Sequence, residues 1–174
     1  STYSIEQRDA YYAVNERFAR IIAEISPEGS VVWIHDYQLQ LVPGLLRALR
    51  PDLIIGFFLH IPFPPVELFT RLPWREEIIR GLLGCDLVGF QRPTGATNFI
   101  TAAQQLLDAE NNGDVVLHEG RRVHAGVFPI SIDIAEVEEI AAGRATRQRA
   151  SRIRARLGDP EVIMLGVDRL DYTK

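Results

Sequence analysis

The stretch that decides the fold is residues 31–65, VVWIHDYQLQLVPGLLRALRPDLIIGFFLHIPFPP. It predicts a strand, a helix, a second strand and a loop that is stiffened by three prolines. A polar residue follows each predicted strand, Asp36 after the first and His60 after the second. Because ligands of open α/β sheets bind outside the carboxyl ends of the strands, these two residues mark a candidate site.

The two predicted strands of this stretch, 31–34 and 53–59, are apolar throughout. Continuous apolar strands are typical of a parallel sheet that is covered on both faces. The segment between them has an amphipathic pattern, with Pro43 in its first turns and Arg50-Pro51-Asp52 at its end, which predicts a helix. Residues 31–59 therefore form one βαβ unit, with the right-handed crossover expected of such units.

Hydrophobic periodicity predicts further elements on both sides of this unit. Helices are predicted at 5–25, 66–72, 74–83, 94–110, 134–142 and 145–157, and strands at 86–90, within 115–130 and at 162–167. In the first helix, the residues expected to face inward are Tyr11, Val14, Phe18, Ile21, Ile22 and Ile25. The predicted fold class is α/β, a Rossmann-like parallel sheet flanked by helices.

Composition and charge exclude several classes of protein. The net charge of −4 argues against nucleic-acid and membrane partners, so we interpret the arginine-rich helix at 145–157 as a solvated face. The single cysteine, Cys85, excludes an intrachain disulfide and fits a reducing, cytoplasmic location. The chain has no starting methionine and stops directly after a predicted strand, so we expect a fragment of a longer protein that is inactive by itself.

Asp36 and His60 each allow two interpretations. The Asp36 carboxylate could bind sugar hydroxyls or act as a base, or it could simply cap the helix that follows. His60 could be a hydrogen-bonded core histidine, although the proline-held loop after it favours a functional role. The neighbouring His35 is expected to pack or hydrogen-bond, and the absence of a third ligand at suitable spacing argues against a metal site.

The last residues, GVDRLDYTK, place Arg169 and Lys174 after a predicted strand. Two cations at this position suit a phosphate or diphosphate, since Arg offers a planar fork and Lys a point charge. The alternative is an ordinary surface loop in which these cations pair with Asp168 and Asp171.

Five segments of this sequence together resemble the trehalose-6-phosphate synthase family of retaining glycosyltransferases. They are VVWIHDYQLQLVP at 31–43, IGFFLHIPFPPVELF at 55–69, LPWREEIIRGLLGCDLVGFQ at 72–91, VFPISID at 127–133 and LGVDRLDYTK at 165–174. The resemblance implies that Asp36 contacts glucose 6-phosphate, that His60 lies near the transferred glucose, and that Arg169 and Lys174 bind the donor diphosphate. It also implies that these four residues are catalytic.

The same resemblance implies two Rossmann-like domains with the active site in the cleft between them, the B-type glycosyltransferase fold. Residues 1–158 would then be the C-terminal part of the acceptor-side domain, and residues 159–174 the first strand and loop of the nucleotide-sugar-binding domain. The implied partners are a nucleotide sugar such as UDP-glucose and glucose 6-phosphate, with no cofactor and no metal, and the sequence leaves a homo-oligomer open. Two alternatives remain, a related synthase with another acceptor such as glycerol phosphate and an inactive regulatory homologue.

Overall fold

A computed structural model describes residues 3–168, so Arg169 and Lys174 lie outside the described residues. The chain divides into two compact units, the first ending at Ile130 and the second beginning at Ser131. Among the described helices, none combines the length and the apolar character that crossing a membrane requires.

The first unit alternates helices with strands, as predicted. Its helices are α1 (Ile5–Ile25), α2 (Val42–Leu49), α3 (Val66–Phe69), α4 (Arg75–Leu82) and α5 (Pro93–Leu107), with a short 3₁₀ helix at Tyr37–Leu39. Its strands are β1 (Val31–His35), β2 (Ile54–Leu59), β3 (Leu87–Phe90), β4 (Glu110–Asn112), β5 (Val115–His118) and β6 (Arg121–Val127). The α/β class predicted from the sequence is confirmed.

The six strands form one sheet in the order β1-β2-β3-β6-β5-β4. Strands β1, β2, β3 and β6 run parallel, whereas β5 pairs antiparallel with both β6 and β4. The sheet is therefore mixed rather than parallel throughout. Its hairpins follow from tight turns at positive φ, at Gly113 and at Glu119-Gly120. The predicted helix at 94–110 was too long, because Asp108 takes a left-handed conformation that ends α5 at Leu107.

The described residues cover one face of the sheet, whereas the sequence predicted cover on both. Side chains alternate along each strand, and those on the covered face, such as Ile34, Ile55 and Val88, belong to the buried core with the helices. On the opposite face Trp33 is 68% exposed. A continuous apolar run does not distinguish a strand buried on two faces from one whose second face is apolar and open.

Helix α1 has the predicted bounds, but its predicted inward face is only partly right, since Tyr11 and Ile22 pack against the core while the other members are exposed. Phe18, for example, is 46% exposed, while Asn15 and Ala19 are fully buried. The hydrophobic pattern missed this face because its central residues are a small one and a polar one. The small side chain of Ala19 lets α1 approach α2 closely, and the amide of Asn15 finds hydrogen-bond partners in the segment it covers.

Glycines allow a second close approach, between α4 and the chain around α2. A Cβ added at Gly81 would lie 2.5 Å from the carbonyl oxygen of Gln40, and one at Gly84 would lie 2.5 Å from the Cα of Gly44. Real Cβ atoms do not approach backbone atoms so closely. The glycines therefore fix how α4 packs against the segment that follows β1.

Asp86 holds the amino ends of the strands together. Its Oδ2 accepts hydrogen bonds from Arg47 at 2.6 Å and from the backbone N–H of Ile55 at 2.8 Å, and its Oδ1 accepts one from Arg121 at 3.2 Å. Asp86 directly precedes β3, so this network lies at the edge of the sheet opposite the carboxyl ends of the strands. It is a stabilising network at the far edge from the candidate site.

The second unit consists of α6 (Ile134–Ala142) and α7 (Arg144–Arg156). Asp133 caps α6 by accepting the backbone N–H of Glu136 at 3.2 Å. The arginines of α7 are largely exposed, as expected for a solvated face. The strand predicted at 162–167 is not formed, because a strand needs hydrogen bonds from a neighbouring strand and no described residue supplies them there.

Candidate functional site

The candidate site lies at the carboxyl ends of β1, β2 and β3. The register pairs His35 with Phe58 and Leu59 with Phe90, so the three strands end at the same edge of the sheet. The first residues after the three strands are Asp36, His60 and Gln91. The structure thus brings Asp36 and His60 together, as the strand-end argument predicted.

Asp36 joins the ends of β1 and β2 through one oxygen. Its Oδ1 accepts the backbone N–H of Tyr37 at 3.0 Å and that of His60 at 3.2 Å, while its own N–H donates to the carbonyl of Phe58 at 2.9 Å. The cap that was one of its two predicted roles is present, since Asp36 is the N-cap of the 3₁₀ helix. Its Oδ2 accepts no hydrogen bond from residues 3–168, which leaves that oxygen for a ligand.

The backbone of Asp36 is strained. Its φ of 70° and ψ of 170° belong to a region that is populated almost only by glycine. Holding another residue there costs on the order of 1–3 kcal/mol and requires that the surroundings enforce it. The hydrogen bonds of the carboxylate and of the backbone N–H supply part of that enforcement, and the strain aims the carboxylate across the strand ends.

His60 is exposed, so the interpretation as a buried core histidine is wrong. Its N–H donates to Asp36, and its carbonyl accepts from Nε2 of Gln91 at 2.8 Å. Its ring lies edge-on to Phe58 with the centroids 4.9 Å apart. Nε2 of His60 lies 3.0 Å from Nδ1 of His35, which confirms that His35 hydrogen-bonds.

Helix α1 supports this edge from behind. The amide of Asn15 donates to the carbonyls of Tyr11 and Gln38 at 2.8 and 3.0 Å, and its Oδ1 accepts the N–H of Leu41 at 3.1 Å. The hydroxyl of Tyr11 donates to the carbonyl of Tyr37 at 2.7 Å. The chain that follows Asp36 is therefore fastened to a helix rather than free to move.

Burial raises the pKa of Tyr11 to about 12, although the hydrogen bond that its hydroxyl accepts from the backbone N–H of Gln40 opposes this shift. The hydroxyl therefore stays protonated and continues to donate to Tyr37 across the physiological pH range.

The proline loop after His60 is also anchored. Phe63 is buried against Phe69, Phe90 and Phe99, and its carbonyl accepts from Nδ2 of Asn98 at 2.9 Å. A pocket of about 330 Å³ lies between this loop and the start of α5. The residues that line it include His60, Gln91, Arg92 and Thr94. Its lining combines these polar residues with apolar ones such as Phe63 and Phe90, so the pocket could accept a sugar-sized ligand beside His60.

A larger pocket of about 570 Å³ occupies the open face of the sheet. It is lined mainly by apolar side chains, among them Trp33, Phe58 and Phe128, and it reaches His35 and His60 at one end. Gly126 and Gly89 make room for aromatic rings, since a Cβ at Gly126 would lie 2.5 Å from the ring of Phe128, and one at Gly89 would lie 2.8 Å from the ring of Phe58 and 3.2 Å from that of Phe128. The two histidines therefore stand where the apolar face meets the polar strand ends.

Sequence reasoning missed Gln91 and Asn15, and it placed Tyr11 on the inward face of the first helix without finding its hydrogen bonds. Gln91 follows β3 as His60 follows β2, so the strand-end argument could have found it. The buried role of Asn15 and the partner of the Tyr11 hydroxyl gave no signal, because the partners lie more than 20 residues away. The donor-side residues Arg169 and Lys174 lie outside the described part of the chain, and their role stays a prediction.

Comparison with known proteins gives one family. All of residues 1–174 match the model of glycosyltransferase family 20. A trehalose-6-phosphate synthase of Mycolicibacterium gilvum is 58% identical over 182 residues, and the match covers 99% of this chain and 36% of that protein. The chain thus spans little more than a third of the length of the curated relatives it matches.

Two of the solved structures that resemble this chain are complexes with ligands. One, described as trehalose-6-phosphate from E. coli bound with UDP-2-fluoro glucose, is 30% identical, has a TM-score of 0.78 and covers 90% of this chain and 35% of that one. The other is an α,α-trehalose-phosphate synthase (UDP-forming) from Burkholderia xenovorans in complex with glucose 6-phosphate. It is 28% identical, has a TM-score of 0.75 and covers 88% of this chain and 35% of that one.

Proposed function

The chain belongs to glycosyltransferase family 20, and from this premise we propose that the protein carrying it is a retaining glucosyltransferase. It moves glucose from a nucleotide sugar, UDP-glucose, to glucose 6-phosphate and releases trehalose 6-phosphate and a nucleoside diphosphate. The observation that carries the proposal is the joining of Asp36 and His60 at the carboxyl edge of the sheet, with Oδ1 of Asp36 3.2 Å from the N of His60. The ligands of the similar E. coli and Burkholderia structures support this donor and this acceptor.

In this proposal Asp36 orients the acceptor. Its Oδ1 is occupied by two backbone N–H groups, so Oδ2 accepts hydrogen bonds from hydroxyls of glucose 6-phosphate. A carboxylate held by two fixed donors cannot rotate freely, and a sugar bound to it is held in one orientation. Holding the acceptor's anomeric hydroxyl at the donor carbon supplies the proximity on which the transfer depends.

His60 lies beside the transferred glucose. Its backbone is held on both sides, by Asp36 and by Gln91, so the position of the ring is set by the sheet rather than by the loop. His60 can then contact the sugar from a fixed position, even if the loop that follows it moves.

Arg169 and Lys174 stabilise the leaving group in this proposal. The bond from the anomeric carbon to the diphosphate oxygen breaks while the bond to the acceptor oxygen forms, the acceptor hydroxyl gives up its proton, and negative charge develops on the diphosphate. Cations placed at a developing negative charge usually make the largest contribution to such catalysis. We assign residues 159–174 to the start of the nucleotide-sugar-binding domain and residues 1–158 to the acceptor-side domain. The buried free thiol of Cys85 fits a cytoplasmic enzyme.

The experiment that tests the proposal is a product assay on the full-length protein. UDP-, GDP- and ADP-glucose are each offered with glucose 6-phosphate, and with glycerol phosphate as the alternative acceptor. We expect trehalose 6-phosphate from UDP-glucose and glucose 6-phosphate. Transfer to glycerol phosphate alone would identify a related synthase, and no transfer with any pair would identify an inactive homologue.

A further inference from the structure

His35 and His60 form a hydrogen-bonded pair at the edge of the candidate site. Nδ1 of His35 lies 3.0 Å from Nε2 of His60, and the two rings are stacked with an interplanar angle of 30° and centroids 5.3 Å apart. A hydrogen bond between two imidazole nitrogens needs an N–H on one and a lone pair on the other. The bond therefore couples the tautomers of the two rings, since Nε2 of His60 must be the complement of Nδ1 of His35.

We propose that His35 is a positioning residue whose Nδ1–H donates to Nε2 of His60, which fixes the ring orientation of His60 and the tautomer with its proton on Nδ1, the atom offered to the sugar. This inference rests on the proposed function, because it names a sugar as the ligand of His60. It adds a residue to which neither the family resemblance nor the comparisons give a role.

The other neighbours of His60 leave its ring free to flip between two orientations, and the hydrogen bond to His35 removes this freedom. Its backbone N–H and carbonyl are held by Asp36 and Gln91, and Phe58 meets its ring edge-on. These contacts fix the position of the ring but do not distinguish its two flipped orientations, because rotation about the last torsion of histidine is broad and roughly two-fold. A flip would exchange the nitrogens for carbons at the places a ligand meets. The hydrogen bond to His35 selects one orientation.

His35 itself is well placed to act as a fixed partner. Its ring lies against Trp33, with the centroids 4.6 Å apart, on the open face of β1. Because it belongs to a strand paired with β2 at Phe58, its distance from His60 is set by the sheet register. Nδ1 of His60 has no hydrogen-bond partner among residues 3–168, so this nitrogen remains for the ligand.

The test compares two substitutions of His35 in the full-length protein with a matched histidine control. His35→Asn keeps a polar atom where Nδ1 lies, whereas His35→Phe keeps a ring beside Trp33 and removes the hydrogen bond. His124→Phe is the control, because His124 is an exposed histidine of β6 in the same sheet. The readouts are the tautomer of His60, from long-range ¹H–¹⁵N correlation of ¹⁵N-histidine, and the kcat and KM of glucosyl transfer.

We expect one His60 tautomer in the wild type, in His35→Asn and in His124→Phe, and a mixture of tautomers in His35→Phe. The His60 signal is identified as the one that disappears in His60→Gln. The kcat of His35→Phe should fall about tenfold or more while the KM for glucose 6-phosphate stays within about twofold, since small misplacements of a reacting group can cost up to about a hundredfold. His35→Asn should recover most of the lost kcat.

If His60 keeps the single tautomer of the wild type in His35→Phe and the kcat of this variant is unchanged, the inference is overturned. The proposed transferase activity would stand. A wild type that transfers no glucose would overturn the proposed function, and the tautomer spectra would still decide whether His35 orders His60. If His35→Phe does not fold, His35→Asn and His35→Gln decide instead, since the amide of glutamine lies one bond farther from the backbone. Equal tautomer mixtures or equal kcat values in those two variants would contradict the role of Nδ1.

Discussion

Oδ1 of Asp36 accepts the backbone N–H of His60 at 3.2 Å and so joins the ends of the first two parallel strands. The same oxygen accepts the N–H of Tyr37, and this arrangement places Asp36 at φ 70° and ψ 170°. One side chain therefore caps the next helix, ties two strands and carries backbone strain. The capping and functional interpretations of Asp36 are compatible, because its second oxygen takes no part in the cap.

The backbone strain at Asp36 predicts that a glycine at this position is more stabilising than an alanine, which is unusual. Asp36→Gly should be more stable than Asp36→Ala by about 1–2 kcal/mol, because glycine adopts this φ and ψ without the cost that alanine meets. Both variants lose the two hydrogen bonds of the carboxylate, so the comparison isolates the backbone. Chemical denaturation of the full-length protein gives the difference. The opposite order, with alanine more stable, is typical of an unstrained position and would show that the strain is absent.

Asn15 is the buried link between α1 and the segment that follows Asp36. Asn15→Ala should lower the free energy of unfolding by about 2–4 kcal/mol, because the N–H of Leu41 and the carbonyl of Gln38 lose their partner. The neighbouring substitution Val14→Ala is the control, since Val14 is half exposed, and it should change stability by about 0.5 kcal/mol or less. Equal effects of the two substitutions in denaturant unfolding would contradict the role of Asn15.

Tyr11 predicts a pH dependence at alkaline pH. Its pKa is raised by burial to about 12 in the folded protein, from 10.0 in the ordinary tyrosine. A raised pKa contributes stability that is complete below pH 10 and is lost as the pH rises through about 12. Tyr11→Phe should therefore be less stable by about 1–2 kcal/mol at pH 7, from its two lost hydrogen bonds. The difference in free energy of unfolding between the wild type and Tyr11→Phe should narrow from pH 10 towards pH 12.

The measurement for Tyr11 is denaturant unfolding of both proteins at several pH values. Using the difference between them removes the titration of every group that the two proteins share, the other tyrosines included. A gap that stays constant over this range, or widens, would show that the hydroxyl is not buried as described.

Arg169 is proposed to bind the donor diphosphate. Arg169→Ala in the full-length enzyme should lower kcat by roughly tenfold to a hundredfold, since hydrogen bonds to charged groups contribute about 1.5–3 kcal/mol each. The fold should be little affected, which a thermal unfolding curve of the same preparation checks. Near-normal turnover would remove Arg169 from the site.

Much of the fold was predictable from residues 31–65. The strand-helix-strand pattern and the strand-end argument found Asp36 and His60, because apolar runs, helix periodicity and breakers are local properties of sequence. The hairpin that makes the sheet mixed was predicted only in part, since β4 is three polar residues long and no strand was predicted at these residues.

The remaining parts of the site depend on contacts that are distant in sequence. Helix α1 places Asn15 inward rather than Phe18, because a polar side chain that finds three hydrogen bonds can be buried at no net loss. His35 was correctly expected to hydrogen-bond, but its partner could not be named, since the register of β1 on β2 decides it. Periodicity does not encode that register.

The most direct test of the central claim is glucosyl transfer by the full-length protein with Asp36→Gly, which removes the carboxylate without backbone strain. With UDP-glucose and glucose 6-phosphate, the wild type should form trehalose 6-phosphate, and Asp36→Gly should lose about a hundredfold in kcat/KM for glucose 6-phosphate. The control His124→Phe should stay within about twofold of the wild type, because His124 lies on the far side of β3 from Asp36. Normal kcat/KM in a folded Asp36→Gly variant would contradict the assignment of this strand edge as the acceptor site.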